Sequence, residues 1–513
     1  MRETVVNQDV AAGPAGGRAV PVGNLIAGEW RAAASGRTFD KRDPADTRVV
    51  LGDYARSDVA DVDLAVAAAR RAQPAWRDVA APKRGEILFR FAGLLADNKE
   101  AVSRIVTLEM GKVIEESRGD VQEAIDLAYL YAGEGRRLFG ETVPSELPQK
   151  FSASVREPVG VAAIITPWNV PVAIPSLRLM PALIAGNTVV WKPSRETPGS
   201  AVAMVRLLIE AGVPPGVVNL VTGTGEEVGQ RLVEHPDVDV VAFTGSSAVG
   251  RQIAATAGAA LKRVTLELGG KNAIVVMADA DLDLATESIV WAAYGTTGQR
   301  CTACSRLVVV DSVADALLDR LASRVSALRI GHGLDPAMEV GPLVNGAAVE
   351  RVERYLDLAR RDGRLVCGGD AIADPALEHG HFSRPTIVDG IAADHPLAQE
   401  EIFGPLLSVI RVPDYETAAE VVNSTRYGLS SGIFTQDLRL AFRALRDFRT
   451  GLVYVNGGTI GAETTLPFGG VGDTGNGHRD SGRIGLDNFT EWKTMYVDYS
   501  GRLQRAQIDN QPA

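Results

Sequence analysis

Residues 159–192 read VGVAAIITPWNVPVAIPSLRLMPALIAGNTVVWK. The two continuous apolar runs at its ends, VGVAAII and TVVWK, suit strands buried on both faces. This is the most apolar stretch of the chain, but Pro167, Pro171, Pro175, Pro181 and Arg178 interrupt it, so it reads as buried core and not as a membrane-spanning helix. Toward the C-terminus, short apolar runs alternate with helical segments: the helix SAVAMVRLLIEAG stopped by Gly212, then VVNLV, a helix after Gly225, VVAFT, a helix after Gly250, and VTLEL. Repetition of strand, helix and strand predicts an α/β fold with a parallel, doubly wound, Rossmann-like sheet over roughly 155–270. Such sheets bind ligands at the carboxyl ends of their strands, where Asn169, Lys192 and Glu267 fall.

Upstream, from Val59 to Arg137, apolar residues recur at three-and-four spacing, as in VDLAVAAARRAQPAW, which predicts amphipathic helices covering the sheet. Downstream, a second α/β region runs from Lys271 past Phe468 with strands such as SRLVVV, LLSVIRV and GLVYVN. The segment FTEWKTMYVDYSG is β-rich and amphipathic, and it is expected to pair with the sheet edge of another subunit.

Composition narrows the function classes. The 513 residues are enough for two or three cores, and 46% hydrophobic with 23% charged residues is the balance of a globular protein. With 53 Lys and Arg against 64 Asp and Glu, the formal charge of −11 repels a phosphate backbone or an anionic membrane, so neither nucleic acid nor membrane is an expected partner. Residues 1–20 lack the apolar run of a secretory signal, which predicts a loose tail and a cytoplasmic address. Cys301, Cys304 and Cys367 are too few for a disulfide scaffold or a four-cysteine zinc site, and no metal is expected.

Three segments carry chemistry. In GQRCTACSR, Cys301 follows a helix and a Gly-Gln-Arg loop, where the helix end and Arg300 favour thiolate, the form that attacks a carbonyl carbon. Free cysteine is also among the most buried residue types, and Cys301-Thr-Ala-Cys304 admits a redox reading, so a structural thiol and a Cys-x-x-Cys pair stay open. In VTLELGGKN, Glu267 ends an apolar strand and is a buried charge, an ion-pair member or a base with a raised pKa. In ITPWNVP, Asn169 lies between two prolines that fix the backbone, where its amide serves an oxyanion or ties down the turn.

Together these segments resemble the aldehyde dehydrogenase superfamily. The resemblance runs from NLIAGEW near residue 24 to EWKTMYVDYSG near 501, with PWN, WKPS, FTGS, LELGGK, GQRC, EEIFGP and PFGG in the family's order. It implies NAD(P)-dependent oxidation of an aldehyde to a carboxylic acid through a cysteine thioester, with Cys301 as nucleophile, Glu267 as general base, and Asn169 with the Cys301 N–H as oxyanion hole. A CoA-acylating relative, which generally lacks a carboxylate at this place, and a catalytically silent homologue are the alternatives.

The resemblance also implies a dinucleotide-binding domain from 22–140 and 160–269, a catalytic domain over 270–475, and a small β oligomerisation element from 141–159 and 485–500, in a homodimer or homotetramer. For the cofactor it points to Ile165, Thr166, Pro167, Trp168, Lys192, Ser194, Arg195, Gly225, Gly245, Ser246, Leu268, Glu401 and Phe403. Lys192 resembles the adenosine-ribose contact, Gly245 and Ser246 open a helix suited to pyrophosphate, and Glu401 with Phe403 resemble the nicotinamide-side contacts. The spacing fits neither a Walker motif nor G-x-G-x-x-G. Either NAD or NADP is expected, since Arg195 stands where NAD-specific relatives carry Glu, with Glu196 beside it.

For the substrate, Val170, Leu177, Arg300 and Phe468 are the candidates. Arg300 either points to an aldehyde with a distal carboxylate or pairs with a neighbouring acid and never meets substrate, and the aliphatic Val170 and Leu177 point to a channel little narrowed by rings. The tail motif TGNGHRDSG departs from the family's S-G-x-G-R-E-x-G by the inserted His478, so the resemblance assigns Asp480 no role.

Overall fold

The computed structural model describes residues 22–509, so the expected N-terminal tail lies outside the described residues. Two seven-stranded sheets organise it. The first runs Arg263–Glu267, Val240–Thr244, Val161–Ile165, Thr188–Lys192 and Val218–Leu220, all parallel, and is extended by antiparallel Asn24–Ile26 and Glu29–Arg31. These five parallel strands are those expected from the apolar runs. Chain order reverses between Val161–Ile165 and Val240–Thr244, and that switch point is where an open α/β sheet accepts a ligand.

Burial on both faces explains the continuous apolar runs. Side chains alternate along a strand, so Ala162 and Ile164 enter one core with Leu179 and Leu183 of the helix Ala173–Ala185. Val161, Ala163 and Ile165 enter another with Val62 and Val66 of Val59–Asp78 and Ile253 of Ser247–Ala259. The upstream helical region resolves into Val59–Asp78, Ala81–Asp97, Lys99–Met110 and Ile114–Glu134.

The second sheet runs Arg364–Cys367, Thr386–Asp389, Leu406–Val412, Cys304–Val310, Asn272–Val276, Ser430–Phe434 and Leu452–Val455, with only its first strand antiparallel. The first sheet ends at Glu267 and the second begins at Asn272, so one short link joins them.

Two expectations need correction. The helix placed after Gly250 begins at Ser247, because Ser246 caps it by accepting from Val249 N–H. The helix placed after Gly225 begins as a wide π turn, Gly225–Gly229, capped by Thr224, before Gln230–Glu234. The C-terminal strand Thr490–Asp498 pairs antiparallel with Lys150–Pro158 of its own chain, in register from Thr490↔Pro158 to Asp498↔Lys150. It is the edge strand of that three-stranded sheet, with no strand on its other side among the described residues, so pairing with another subunit stays an expectation. No described helix is long and apolar enough to cross a membrane.

Candidate active site

Asn169, Glu267 and Cys301 line one cavity of about 330 Å³. Each comes from a different segment: the turn after Val161–Ile165, the end of Arg263–Glu267, and the loop between the helix Leu282–Tyr294 and Cys304–Val310. Val170, Leu177, Arg300 and Phe468, the four substrate candidates, line the same cavity.

Two of the three polar groups are uncommitted. Asn169 is 3% exposed, yet its amide makes no hydrogen bond among the described residues. Glu267 is buried with Oε2 unpartnered, and a Cβ on Gly469 would stand 2.5 Å from Oε1, so glycine there lets backbone close over the carboxylate. A buried polar group without a partner is costly and is retained where a reacting molecule completes it. Burial holds the Glu267 carboxyl well above the usual range, and the nearby Asp480 charge adds to the effect.

The surroundings of Cys301 run against the thiolate expectation. Burial pushes the thiol up to about 12, and the charges of Glu401 and Glu267 push the same way. Arg300 does not offset them. Its Nε donates to Thr296 Oγ1 at 2.8 Å, its Nη2 meets Glu116 Oε1 at 3.3 Å, and its guanidinium lies 5.1 Å from the Trp291 ring centroid. The loop itself is held through its backbone, with Asn272 Nδ2 donating to the Cys301 and Ala303 carbonyls at 2.7 and 2.9 Å. Cys304 is buried in the second sheet's core and donates to the Arg306 carbonyl at 3.4 Å.

Sequence reasoning missed several lining residues. Asp480 lines the cavity, pairs with buried Arg178 at 2.9 Å, accepts from Asn488 Nδ2 at 3.1 Å, and is pushed up to about 6 by burial. Its signal was Arg178 itself, a charge inside an apolar helix that needs a buried partner. Trp291 brings an indole to the cavity, so the channel is more aromatic than Val170 and Leu177 suggested. Glu116, Asp120 and Glu123, on one face of Ile114–Glu134, line it as well.

A second cavity of about 850 Å³ opens at the switch point of the first sheet. Ile165, Lys192, Ser194, Arg195 and Gly225 line it as expected, joined by Phe243, Val249 and Ile253. Thr166, Pro167, Trp168, Gly245 and Ser246 sit at the strand ends beside it without lining it. Leu268 faces the smaller cavity instead. Glu401 and Phe403 line neither: Glu401 accepts from Gly270 N–H at 3.1 Å, and Phe403 packs edge-on to Trp168 with centroids 5.6 Å apart.

These residues fit a dinucleotide. The volume suits one, apolar walls suit a flat base, and Lys192, lowered by burial to about 8 and bonded only to the Pro193 carbonyl, is a donor aimed into the cavity. The helix Ser247–Ala259 contributes lining residues from its first turns, where N–H groups favour phosphate. Among the described residues no group of three or more His, Cys, Asp or Glu could hold a metal ion.

Comparison with known proteins agrees with this geometry. Residues 30–495 match the aldehyde dehydrogenase family. An α-ketoglutarate semialdehyde dehydrogenase of Haloferax volcanii is 40% identical over 93% of this chain and 99% of its own length. The NADP(+) succinate-semialdehyde dehydrogenase GabD of Escherichia coli is 38% identical over 92% of this chain and 97% of its own. The crystal structure of PnpE from Pseudomonas sp. WBC-3 in complex with nicotinamide adenine dinucleotide superposes with a TM-score of 0.91 at 37% identity, covering 94% of this chain and 98% of that one.

Proposed function

The chain belongs to the aldehyde dehydrogenase family and oxidises an aldehyde to a carboxylic acid with NAD(P)+, and from that premise we propose that the reaction runs through a thioester on Cys301 that Glu267 hydrolyses. What carries this reading is the convergence of Cys301, Glu267 and Asn169 on one cavity with Glu267 Oε2 buried and left without a partner.

The thiol first loses its proton, and Glu267, whose pKa is raised by burial, making it a stronger base than an ordinary glutamate, is the carboxylate in the same cavity that takes it. Sγ then bonds to the carbonyl carbon and the π pair moves to oxygen, where the Asn169 amide and the Cys301 N–H stabilise the alkoxide. A dinucleotide held by Lys192, Arg195 and the first turns of Ser247–Ala259 would supply the hydride acceptor needed as the alkoxide collapses. Glu267 then removes a proton from water as it attacks the thioester, releasing the acid and freeing Sγ. The carboxylate in the cavity favours water over CoA as the acyl acceptor.

A semialdehyde is the substrate class this site supports best. Arg300 lines the cavity with Nη1 uncommitted, since only Nε and Nη2 have partners, and a distal carboxylate can take that donor. Two of the similar proteins act on semialdehydes, as their names state. Monitoring NAD(P)H formation across a panel of aldehydes, with and without CoA, tests both the activity and the preference. We expect kcat/KM for succinic semialdehyde to exceed that for a neutral aldehyde of matched length, and Arg300→Met to cut the ratio by roughly 10-fold or more, the worth of one charged hydrogen bond. An unchanged ratio ends the anionic-substrate reading.

NADP+ is accepted as a cofactor on this reading. Glu196 is held away from the cavity, with Oε2 3.1 Å from Lys41 Nζ and Oε1 3.0 Å from Asn345 Nδ2, so it is not available to a ribose hydroxyl. Arg195 lines the cavity with a side chain 65% exposed and can meet a 2′-phosphate. The ratio of kcat/KM for NADP+ over NAD+ should fall by about 10-fold or more in Arg195→Glu. Strict NAD+ use by the wild type overturns this.

A further inference from the structure

We infer that Glu116 and Asp120 are positioning residues: from one rigid helix they hold the loop before Cys301 and the segment after Asn169 against each other. This rests on the roles given above to Cys301 and Asn169. An alkoxide needs donors from both segments at once, and a misplacement of about 1 Å can cost on the order of 10²-fold in rate. No strand or helix contains both donors, so something must fix their separation.

The two acids are four residues apart on Ile114–Glu134, which puts them on one face, and each side chain is 2% exposed. Glu116 Oε1 accepts from Thr296 N–H at 2.7 Å and from Arg300 Nη2 at 3.3 Å. Thr296 and Thr297 have φ of 53° and 57°, a left-handed conformation that β-branched residues resist, so this turn needs outside support to persist. Gly295 leaves the carboxylate room, since a Cβ there would stand 3.1 Å from Oε1. The bond from Glu116 thus reaches the backbone five residues before the nucleophile.

Asp120 serves the other side. Its Oδ1 accepts from Ala173 N–H at 2.8 Å, at the first residue of Ala173–Ala185 and four residues after Asn169. Its Oδ2 accepts from Lys112 Nζ at 2.9 Å, which fixes the carboxylate's orientation. The Asn169 amide makes no bond of its own, so its position is inherited from the backbone that Asp120 anchors. Each carboxylate accepts from a backbone N–H of one site segment and from a cation, Arg300 for Glu116 and Lys112 for Asp120.

The test uses full-length enzyme. Lys112→Met with Asp120→Leu removes that prong without leaving a buried charge unpaired. It should lower kcat about 10-fold or more while leaving KM for NAD(P)+ unchanged, and in an Asn169→Ala background it should cause little further loss. Equal fold losses in the two backgrounds overturn the proposal for Asp120. For the other prong, Glu116→Gln keeps an acceptor for Thr296 N–H and Glu116→Leu does not. Alkylation of Cys301 by iodoacetamide at fixed pH should stay near the wild-type rate in Glu116→Gln and slow severalfold in Glu116→Leu. Identical alkylation rates in the two variants overturn it. If Asn169→Ala alone leaves kcat intact, the oxyanion role of Asn169 fails, and the alkylation comparison still decides the brace.

Discussion

Cys301→Ser should lose dehydrogenase turnover by at least roughly 10⁴-fold, as removal of a covalent nucleophile does elsewhere, while the thermal midpoint stays within a degree or two of the wild type. The hydroxyl is a far weaker nucleophile than a thiolate, and no other group in the cavity replaces it. Stability should hold because the loop is anchored through the Cys301 and Ala303 carbonyls, which serine retains. NADH or NADPH formation and a melting curve on the same preparation check it. Turnover within tenfold of the wild type would remove Cys301 from the mechanism, and the second-sheet thiol Cys304 would then need explanation.

Glu267→Gln should slow steady turnover by about 10² to 10⁴-fold, the usual range for a general base. Its pH dependence identifies the step. Burial and Asp480 raise the Glu267 pKa, so the carboxyl stays protonated and inactive as a base to a higher pH than an ordinary glutamate. Wild-type activity should therefore climb with pH over a range above that of an ordinary glutamate and fall as pH drops, and that limb should vanish in Glu267→Gln. If hydride transfer remains fast in the variant, rapid mixing should reveal a burst of NAD(P)H before the slow phase. Loss of burst and steady phases in equal measure assigns Glu267 to proton removal from Cys301 alone.

The parallel strands of the first sheet were legible because burial on both faces leaves continuous apolar runs, and helices between them leave three-and-four spacing. The helix start near Ser246 was read two ways, after Gly250 from the run of elements and from Gly245 and Ser246 in the resemblance. A capping serine and an interior Gly250 give competing signals for where a helix starts, and the cap prevailed. Asn169 and Glu267 stood out as candidates because one sits in a proline-fixed turn and the other ends an apolar strand. The site's electrostatics were not legible. Arg300 adjoins Cys301 in sequence, yet its charge goes to Glu116, 184 residues away, so a local reading of the thiol as activated missed the controlling partner. Asp480 is the same case: its place beside Glu267 depends on Arg178 and Asn488, neither of which the motif around it reveals. Pairing of the C-terminal strand with Lys150–Pro158 came from the resemblance, which put 141–159 and 485–500 in one element, and not from any window of sequence.

The central claim is that an acyl group passes through Cys301 and that Glu267 removes it. It is tested most directly by mixing Glu267→Gln with NAD(P)+ and succinic semialdehyde, quenching in acid within the burst, and measuring the mass of the protein and of its Cys301 peptide. The account predicts a mass increase equal to the acyl group, confined to that peptide and absent in Cys301→Ser. An unmodified Cys301 peptide in the presence of formed NAD(P)H would contradict it.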